Sequence, residues 1–396
     1  MRILLLNHNV AWRGGTFYRA YHAGRYLAQR GHCVTLLTIS ARRRLRFFHE
    51  VKEGVEIIHT PDLLWGIGRT GWDPWDTLSR IVYLNGQTWD IIHAWDSRPA
   101  VILPALHARR QSGKTGGKLV IDWCDWWGRG GTQSERSGIL VRLAAPIETY
   151  FEEAFRARAD GTTVISQALY ERALSLKVRA ETIRRLPQGC DVEVQSDGNR
   201  SAARQRLGVA LSRPLILHVG ALTRSDAQLL FDSLRLLFHR RRDCQAVLIG
   251  RSGARIPDDL KKSPQLGETG FVPEATLTDY MEACDVLLVP MADTLASRAR
   301  WPSRVNPFLA AGRTVVMTRV GDLAALLERE KAALITRCEP EDIVTNLICL
   351  FNNPEIRQQC EMRARHVAEH ILAWPMIVSK LEDLYLMLRS ERNVLH

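Results

Sequence analysis

Two arginines flank the start of a predicted helix in the second half of the chain. An apolar run, Val286–Val289, closes at Pro290 and fits a buried parallel strand. A polar loop follows over 293–301. A helix is then predicted to open at Pro302-Ser303, with Ser303 as its N-cap. The polar side chains at this helix start are Arg300, Ser303, Arg304 and Asn306. Free helix amides and two guanidinium groups suit a diphosphate, whose buried charge must be paired.

A strand–helix–strand unit positions these groups. The sequence Ala310-Ala311-Gly312 closes the helix with small residues and a glycine, and Val315–Met317 is the next predicted strand. In open parallel sheets, ligands bind outside the carboxyl ends of the strands. The helix start therefore lies at the ligand-binding edge of a sheet.

The unit resembles the donor-site signature of GT-B glycosyltransferases, specifically the large retaining family 4. The matching residues are Pro302, Arg304, Phe308, Ala310, Gly312, Val315 and Val316. Pro307 stands where the family carries its ribose-binding glutamate, and we expect the side-chain amide of Asn306 to contact the ribose instead. The resemblance implies an α/β fold of the GT-B type, with two doubly wound Rossmann-like domains facing a central cleft.

The start of the chain also indicates a doubly wound sheet. A strand at Arg2–Leu6 is followed by the turn Gly14-Gly15, a helix over Thr16–Arg30 and a strand at Cys33–Ile39. The glycine spacing is not G-x-G-x-x-G, which disfavours an NAD-dependent dehydrogenase. The family resemblance implies that the Gly14-Gly15 loop approaches the donor diphosphate and the acceptor. For either glycine alone, a tight turn is an equally good interpretation.

The resemblance extends along nearly the whole chain and assigns further residues. Asp125 matches the family's histidine–aspartate pair with Cys124 in place of the histidine, and Ala221 stands where the family carries an arginine, for which Arg224 is the nearest substitute. The implied catalytic residues are Asp125, Arg224 and Arg304. The implied nucleotide-sugar-binding residues are Gly14, Gly15, Gly220, Thr223, Gly250, Phe271, Val272, Arg300, Ser303 and Asn306.

A polar segment at 194–203 predicts the boundary between the domains. We expect an acceptor-binding domain over 1–195, with a terminal helix at 375–396 that packs back on it. A nucleotide-sugar-binding domain is expected over 204–374.

Tryptophan is concentrated in the first domain, where nine of the 11 residues fall within the first 127 positions. Aromatic faces stack on sugars and on apolar carriers, and they also fill ordinary cores. Trp12, Trp123, Trp126 and Trp127 are the candidates for acceptor contact, with core packing as the alternative for each.

The formal net charge is +11, and the basic residues occur in many short clusters rather than in one stripe. This distribution argues against a dedicated nucleic-acid binder and leaves phosphorylated substrates or an anionic membrane surface as partners. The eight cysteines form no CxxC pair and are interpreted as reduced thiols. With no apolar span, we expect a cytoplasmic protein, with peripheral contact at the inner face of the membrane as a further interpretation.

Two functions remain open from the sequence. The first is a retaining hexosyltransferase-like enzyme that moves a sugar from a nucleotide-sugar to a glycan, lipid-linked or small-molecule acceptor. We expect no metal cofactor, because Asp73 and Asp76 are split by Pro74-Trp75 and form no Asp-x-Asp motif. The second is a catalytically degenerate GT-B protein that binds a glycan or a partner, which the residues Ala221, Cys124 and Pro307 favour.

Overall fold

The computed structural model describes residues 1–40, 45–64, 70–113, 116–135, 139–193, 199–250 and 254–390. The chain forms two compact units, one of Met1–Gln188 with Trp374–His396 and one of Gly189–Ala373. The division falls before the predicted linker at 194–203. Positions 194–198 of that linker, Trp65, and positions 391–396 of the predicted terminal helix lie outside the described residues.

Each unit contains one sheet. The eight strands of the first sheet are β1 Arg2–Val10, β2 Cys33–Ile39, β3 Phe48–Lys52, β4 Val55–Thr60, β5 Ile91–Ala94, β6 Lys118–Trp123, β7 Gly161–Val164 and β8 Ile183–Arg185. Their order is β3-β4-β2-β1-β5-β6-β7-β8, and all neighbours are parallel except β3 with β4. The sequence interpretation had missed β3 and β8, which are short or exposed edge strands without an apolar run.

The second sheet is parallel throughout. Its strands are β9 Leu215–Val219, β10 Gln245–Ile249, β11 Leu266–Gly270, β12 Val286–Val289, β13 Val315–Thr318 and β14 Leu334–Thr336. Their order is β11-β10-β9-β12-β13-β14. From β9 the chain adds strands in one direction, and from β12 it adds them in the other. The space at the carboxyl ends of β9 and β12 is therefore where a ligand is expected to bind.

Helices connect the strands of both sheets. In the first unit they are α1 Thr16–Gln29, α2 Pro74–Leu84, α3 Pro99–Ser112, α4 Ile139–Glu153 and α5 Gln167–Ser175. In the second unit they are α6 Arg200–Leu207, α7 Arg224–Arg240, α8 Asp258–Lys261, α9 Glu274–Ala283, α10 Leu295–Ala299, α11 Val305–Ala310, α12 Gly321–Arg329, α13 Pro340–Asn352 and α14 Pro354–His370. The last helix, α15 Trp374–Ser390, belongs to the first unit. The predicted polar loop at 293–301 is in part a helix, α10, which the side chain of Thr294 caps.

Alternating side chains of β1 divide the first core between the two faces of the sheet. Ile3 and Leu5 pack with α1 and α15, whereas Leu4 and Leu6 pack with α3. Successive residues of a strand point to opposite faces of the sheet. A strand that is covered on both faces therefore has a continuous run of apolar residues in its sequence. The two layers hold the carboxyl ends of the central strands in fixed positions.

Helix α15 supplies a test of this packing. Leu381 is fully buried in the first core, whereas Leu386 on the same helix is 53% exposed. We expect Leu381→Ala to lower the free energy of unfolding of the first unit by about 2–5 kcal/mol, because the cavity adds to the lost apolar contact. The matched change Leu386→Ala should cost within about 0.5 kcal/mol. Urea unfolding of both variants measures the difference, and equal costs would show that α15 is not part of this core.

Candidate functional site

Two glycines bring the carboxyl ends of β9 and β10 together in the second unit. Gly220 and Gly250 have φ values of 97° and 100°, a region that favours glycine. The amide of Gly220 donates to the carbonyl of Ile249 at 2.8 Å, and a Cβ added at Gly250 would lie 3.4 Å from Cα of Gly220. The two strand exits therefore form a bare backbone surface that a ligand can approach closely.

The guanidinium of Arg304 is attached to this surface. Its Nη1 donates to the carbonyls of Val219 at 2.7 Å and Ala221 at 3.2 Å, on either side of Gly220. A Cβ added at Gly220 would lie 3.2 Å from the same nitrogen. Burial and the nearby Arg300 lower the pKa of Arg304 to about 10, so the group stays cationic at neutral pH. The structure thus places a fixed positive charge at the carboxyl end of β9, where the strand order of the second sheet changes direction.

The buried side chain of His218 contacts Arg304 and was missed by the sequence interpretation. Its Nδ1 lies 2.9 Å from the carbonyl oxygen of Leu288, and its Nε2 lies 3.4 Å from Nη1 of Arg304. Burial, followed by the charge of Arg304, lowers the pKa of His218 to about 4. The neutral ring therefore donates through Nδ1 to the carbonyl and accepts from the arginine through Nε2.

Asp226 changes the role expected of Arg300. Its carboxylate accepts from Arg300 Nη2 and, through the other oxygen, from the amide of Ala292 at 2.7 Å. Asp226 is buried in the first turn of α7, so its partner is required to neutralise it. Arg300 lies near Arg304, as predicted, but its charge is already paired.

The start of helix α11 differs from the prediction. Arg304, not Ser303, is the N-cap residue, and no side chain caps the helix. The amides of Ser303, Val305 and Asn306 donate to the carbonyls of Trp301, Pro302 and Ser303 at 2.8, 2.9 and 3.1 Å. The predicted free amides at 303–306 are therefore largely used by the turn itself, because the chain enters this six-residue helix through a tight local bend.

The side chain of Asn306 is also engaged. Its Oδ1 accepts from Nε1 of Trp301 at 2.9 Å, and its Nδ2 donates to the carbonyl of Gly189 at 3.0 Å. The residue is 3% exposed. Both polar atoms of the amide are therefore bonded within the protein, where Asn306 links the chain near Gly189 to α11, and the expected contact with ribose stays a prediction.

The remaining predicted donor residues lie at the same strand exits. Thr223 caps α7 by accepting from the amide of Asp226 at 3.2 Å, and Arg224 is the exposed first residue of that helix. Phe271 follows β11 directly and is 82% exposed, with Val272 half-buried beside it. An apolar side chain left this open suits stacking against a flat ring.

In the first unit, the Gly14-Gly15 turn lets a side chain cap helix α1. Gly15 has a φ of 64°, and a Cβ there would meet Nδ2 of Asn9 at 2.9 Å. Oδ1 of Asn9 accepts from the amide of Thr16 at 2.9 Å. Gly15 is therefore required by the close approach of Asn9, whereas Gly14 has open space where a side chain would be and is favoured only by its φ of 97°.

Glu152 organises the tryptophan-rich loop after β6. Its carboxylate accepts from the amides of Trp127 at 2.7 Å and Gly128 at 2.6 Å, and from Nε1 of Trp123 at 3.1 Å. Burial outweighs these donors and raises the pKa of Glu152 to about 7. Trp123 and Trp127 are buried, so the core-packing alternative holds for both, whereas Trp126 is half-buried and remains an acceptor candidate.

Asp125 and Cys124 follow β6 at its carboxyl end. Asp125 is exposed, and its Oδ2 lies 3.8 Å from Sγ of Cys124. Burial, together with the charge of Asp125, raises the pKa of the Cys124 thiol well above its ordinary value. The residue that replaces the family's histidine is therefore a neutral thiol, which carries no positive charge.

A second group that the sequence interpretation missed lies at the neighbouring strand ends of β1 and β5. Nε2 of His8 lies 3.2 Å from Oδ2 of Asp96, which also accepts from Nη1 of Arg98 at 2.7 Å. The other ring nitrogen of His8 lies 3.1 Å from Oγ1 of Thr70. Burial, then the charge of Arg98, lowers the pKa of His8. The signal available in the sequence was the polar residue directly after each apolar run.

Two family descriptions match the sequence. Residues 13–194 match Glycosyltransferase Family 4, and residues 213–353 match Glycosyl transferases group 1. The chain is a glycosyltransferase of the family 4 type, since the two matches together span most of its sequence. The resemblance inferred from the motifs is confirmed, and the two matched regions fall one in each compact unit apart from the last few residues of the first match.

Solved glycosyltransferase structures share the fold of this family member. Sucrose-phosphate synthase from Thermosynechococcus elongatus superposes with a TM-score of 0.73 at 16% identity, covering 98% of this chain and 99% of that one. WaaG, a glycosyltransferase involved in lipopolysaccharide biosynthesis, gives 0.70 at 16% identity, covering 96% and 99%. Anabaena Alr3699/HepE in complex with UDP-glucose gives 0.68 at 17% identity, covering 98% and 100%. The predicted GT-B class is confirmed.

One curated relative matches part of the chain. The D-inositol 3-phosphate glycosyltransferase of Nocardiopsis dassonvillei is 28% identical over 217 residues, which are 50% of this chain and 49% of that protein. The match thus spans about half the length of this relative.

The described residues contain neither a metal-binding cluster nor a membrane-spanning helix. Within them, no group of three or more His, Cys, Asp or Glu side chains is placed to hold a metal ion. No helix in the same ranges has the length and apolar character needed to cross a bilayer.

The buried histidine beneath Arg304 gives a pH-dependent prediction. The pKa of His218 lies below its ordinary value of 6.5 in the folded protein, so the unfolded chain binds the proton more readily. Stability should fall as the pH drops from about 6.5 to about 4, by on the order of 3 kcal/mol from this residue. His218→Leu should lack this part of the pH dependence in urea unfolding. His239→Leu, an exposed histidine of α7, is the control and should keep the wild-type profile.

Proposed function

We propose that the protein is a retaining glycosyltransferase that moves a sugar from a nucleotide-sugar to a hydroxyl group of a glycan, lipid-linked or small-molecule acceptor. The observation that carries the proposal is the position of Arg304. Its Nη1 is fixed by the two carbonyls that flank Gly220, and its Nε and Nη2 have no hydrogen-bond partner in the part of the chain that the structure describes. These free donors suit two oxygens of a diphosphate.

The chemistry requires a stabilised leaving group. The bond between the anomeric carbon and the diphosphate oxygen breaks, a bond to the acceptor oxygen forms on the same face, and the acceptor proton passes to the departing phosphate. Arg304 and the exposed Arg224 at the start of α7 would pair with the negative charge that develops, and the helix dipole of α7 adds to them. Gly220 leaves room for the phosphate to reach the backbone.

The pairing of Arg300 with Asp226 supports the same site. An ionised carboxylate in the first turn of α7 would repel a diphosphate. Because Arg300 neutralises that carboxylate, the positive end of α7 and Arg304 keep their attraction for the donor. Arg300 therefore acts as a positioning residue in this proposal.

The donor is proposed to be a nucleotide-sugar and the reaction to be metal-independent. Support for the donor comes from the structural neighbour in complex with UDP-glucose, and Phe271 offers an open ring for the base. Support for metal independence is that guanidinium groups and a helix start can carry the diphosphate charge. The curated relative's name makes an inositol phosphate one acceptor to test. A cytoplasmic location is part of this proposal.

A degenerate, non-catalytic binding protein is the second candidate. It is favoured by Ala221 and Pro307 at positions where the family carries charged side chains, and by the engaged amide of Asn306. The two candidates differ in whether donor hydrolysis or transfer occurs.

Nucleoside diphosphate binding tests the role of Arg304. We expect Arg304→Ala to weaken UDP binding about tenfold or more, since one charge-assisted contact contributes on the order of 1.5–3 kcal/mol. Calorimetry at two salt concentrations should also show weaker binding at high salt. Arg242→Ala, an exposed arginine of the same unit, is the control and should bind as wild type does. Equal affinity of the two variants would remove Arg304 from the site.

Turnover without acceptor separates the two candidate functions. Wild-type protein with UDP-glucose, or with the guanosine, adenosine or thymidine diphosphate sugars, should release the nucleoside diphosphate slowly, because water can replace the acceptor. Addition of EDTA should leave the rate unchanged, as the metal-independent mechanism requires. Nucleotide binding with neither hydrolysis nor transfer to inositol phosphate or glycan acceptors would favour the binding protein. A rate lost with EDTA and restored by magnesium would contradict metal independence.

A further inference from the structure

A cavity of about 610 Å³ lies at the amino edge of the first sheet. It is lined by the end of α3, the start of β6 at Lys118, and the turn before β7 at Arg158 and Asp160. The Gly14-Gly15 turn, Asp125 and His8 all lie at or beyond the carboxyl ends of the strands. The cavity is therefore at the opposite edge of this sheet from the Gly14-Gly15 turn, Asp125 and His8.

The cavity has an excess of positive charge. Asp160 is the acidic residue in its lining, and both of its oxygens are used, one by Arg109 at 2.9 Å and one by the amide of Leu119 at 2.7 Å. Arg109 also donates to the carbonyl of Arg158 at 2.9 Å, which fixes one wall. The carboxylate is thus satisfied without help from the other basic side chains.

Three further cations line the same space: Arg110, Lys118 and Arg158. In the described ranges none of their side chains has an ion pair or a hydrogen bond, although carboxylates pair with arginine at many other surface positions. Like charges around one concave space repel each other and raise the local concentration of anions. An anionic ligand would remove this repulsion.

The rest of the lining is apolar and continues onto an exposed helix face. Leu106 and Phe155 form the apolar wall, and the ring of Phe155 lies 5.8 Å from that of Tyr150 on α4. Tyr150, Ile147 and Leu143 recur at helical spacing and are all more than half exposed. A ligand with both a phosphate group and an apolar part would match the two kinds of surface.

We propose that this cavity binds the phosphate group of an organic phosphate ester through Arg110, Lys118 and Arg158, with the apolar part of the ester against Leu106 and Phe155. The site is separate from the proposed donor site and does not depend on the proposed activity. The phosphate could come from a soluble ester or from a lipid headgroup, and the face of α4 would contact the acyl region in the second case.

Two probes and two matched variants test the site. The triple variant R110Q/K118Q/R158Q removes the three cations, and R242Q/K261Q/K262Q removes three exposed cations of the second unit with the same change in net charge. Binding of glycerol 3-phosphate is measured by calorimetry. Binding to phosphatidylcholine vesicles with and without phosphatidylglycerol is measured by sedimentation. Thermal unfolding and circular dichroism check that each variant is folded.

We expect wild type and the second-unit variant to bind at least one probe, and the cavity variant to lose about tenfold or more in affinity. Binding of glycerol 3-phosphate identifies a soluble ester. Binding only to vesicles that contain phosphatidylglycerol identifies a lipid headgroup, and Ile147→Ser should then weaken that binding. No binding of either probe by wild type, or equal losses in the two triple variants, would overturn the proposal.

Discussion

The bonds from Arg304 to the carbonyls on either side of Gly220 determine the shape of the second unit's candidate site. A backbone carbonyl is an obligatory acceptor, and the exit of a central strand leaves it without a ladder partner. Arg304 satisfies two such carbonyls with one nitrogen, and Nε2 of His218 lies 3.4 Å from that nitrogen. One cation thereby closes the end of β9 and stays available to an anion through its other nitrogens.

Charge pairing around that cation follows from burial. Asp226 is needed to hold the loop after β12 through the amide of Ala292, but a buried carboxylate must itself be neutralised. Arg300 supplies the neutralising charge. Two arginines four positions apart therefore have different tasks, and only their three-dimensional partners distinguish them. The first unit shows the same logic, since Arg19 and Thr163 both bind the buried carboxylate of Asp122.

Much of the fold could be predicted from the sequence because buried parallel strands are continuous apolar runs. The strands Cys33–Ile39 and Val286–Val289 agree with the prediction residue for residue. The edge strand Phe48–Lys52 was missed because half-exposed strands lack such a run, and α2 was missed because its capping residue, Asp73, lies in a segment rich in glycine and tryptophan.

The candidate site was harder to predict, because its hydrogen bonds join positions far apart in the chain. Arg304 was identified from a local motif, whereas the partners of Asn306 include Gly189, 117 positions away. A polar residue in a motif shows where it lies on the sheet, but not whether its donors are already used. For the same reason, the sequence does not indicate that Glu152 binds the tryptophan-rich loop or that His218 contacts Arg304.

The return of the chain to its first unit has a consequence for synthesis on the ribosome. The chain leaves the first unit after Gln188 and completes it only with α15. Trp374, Leu381 and Tyr385 of this helix are buried in the core of the first unit. Domains usually fold in the order in which they emerge. Here the second unit can close first, while the face of the sheet that α15 covers stays open until α15 itself has been translated. During that interval the nascent first unit carries an uncovered apolar layer, which is the kind of surface that chaperones bind.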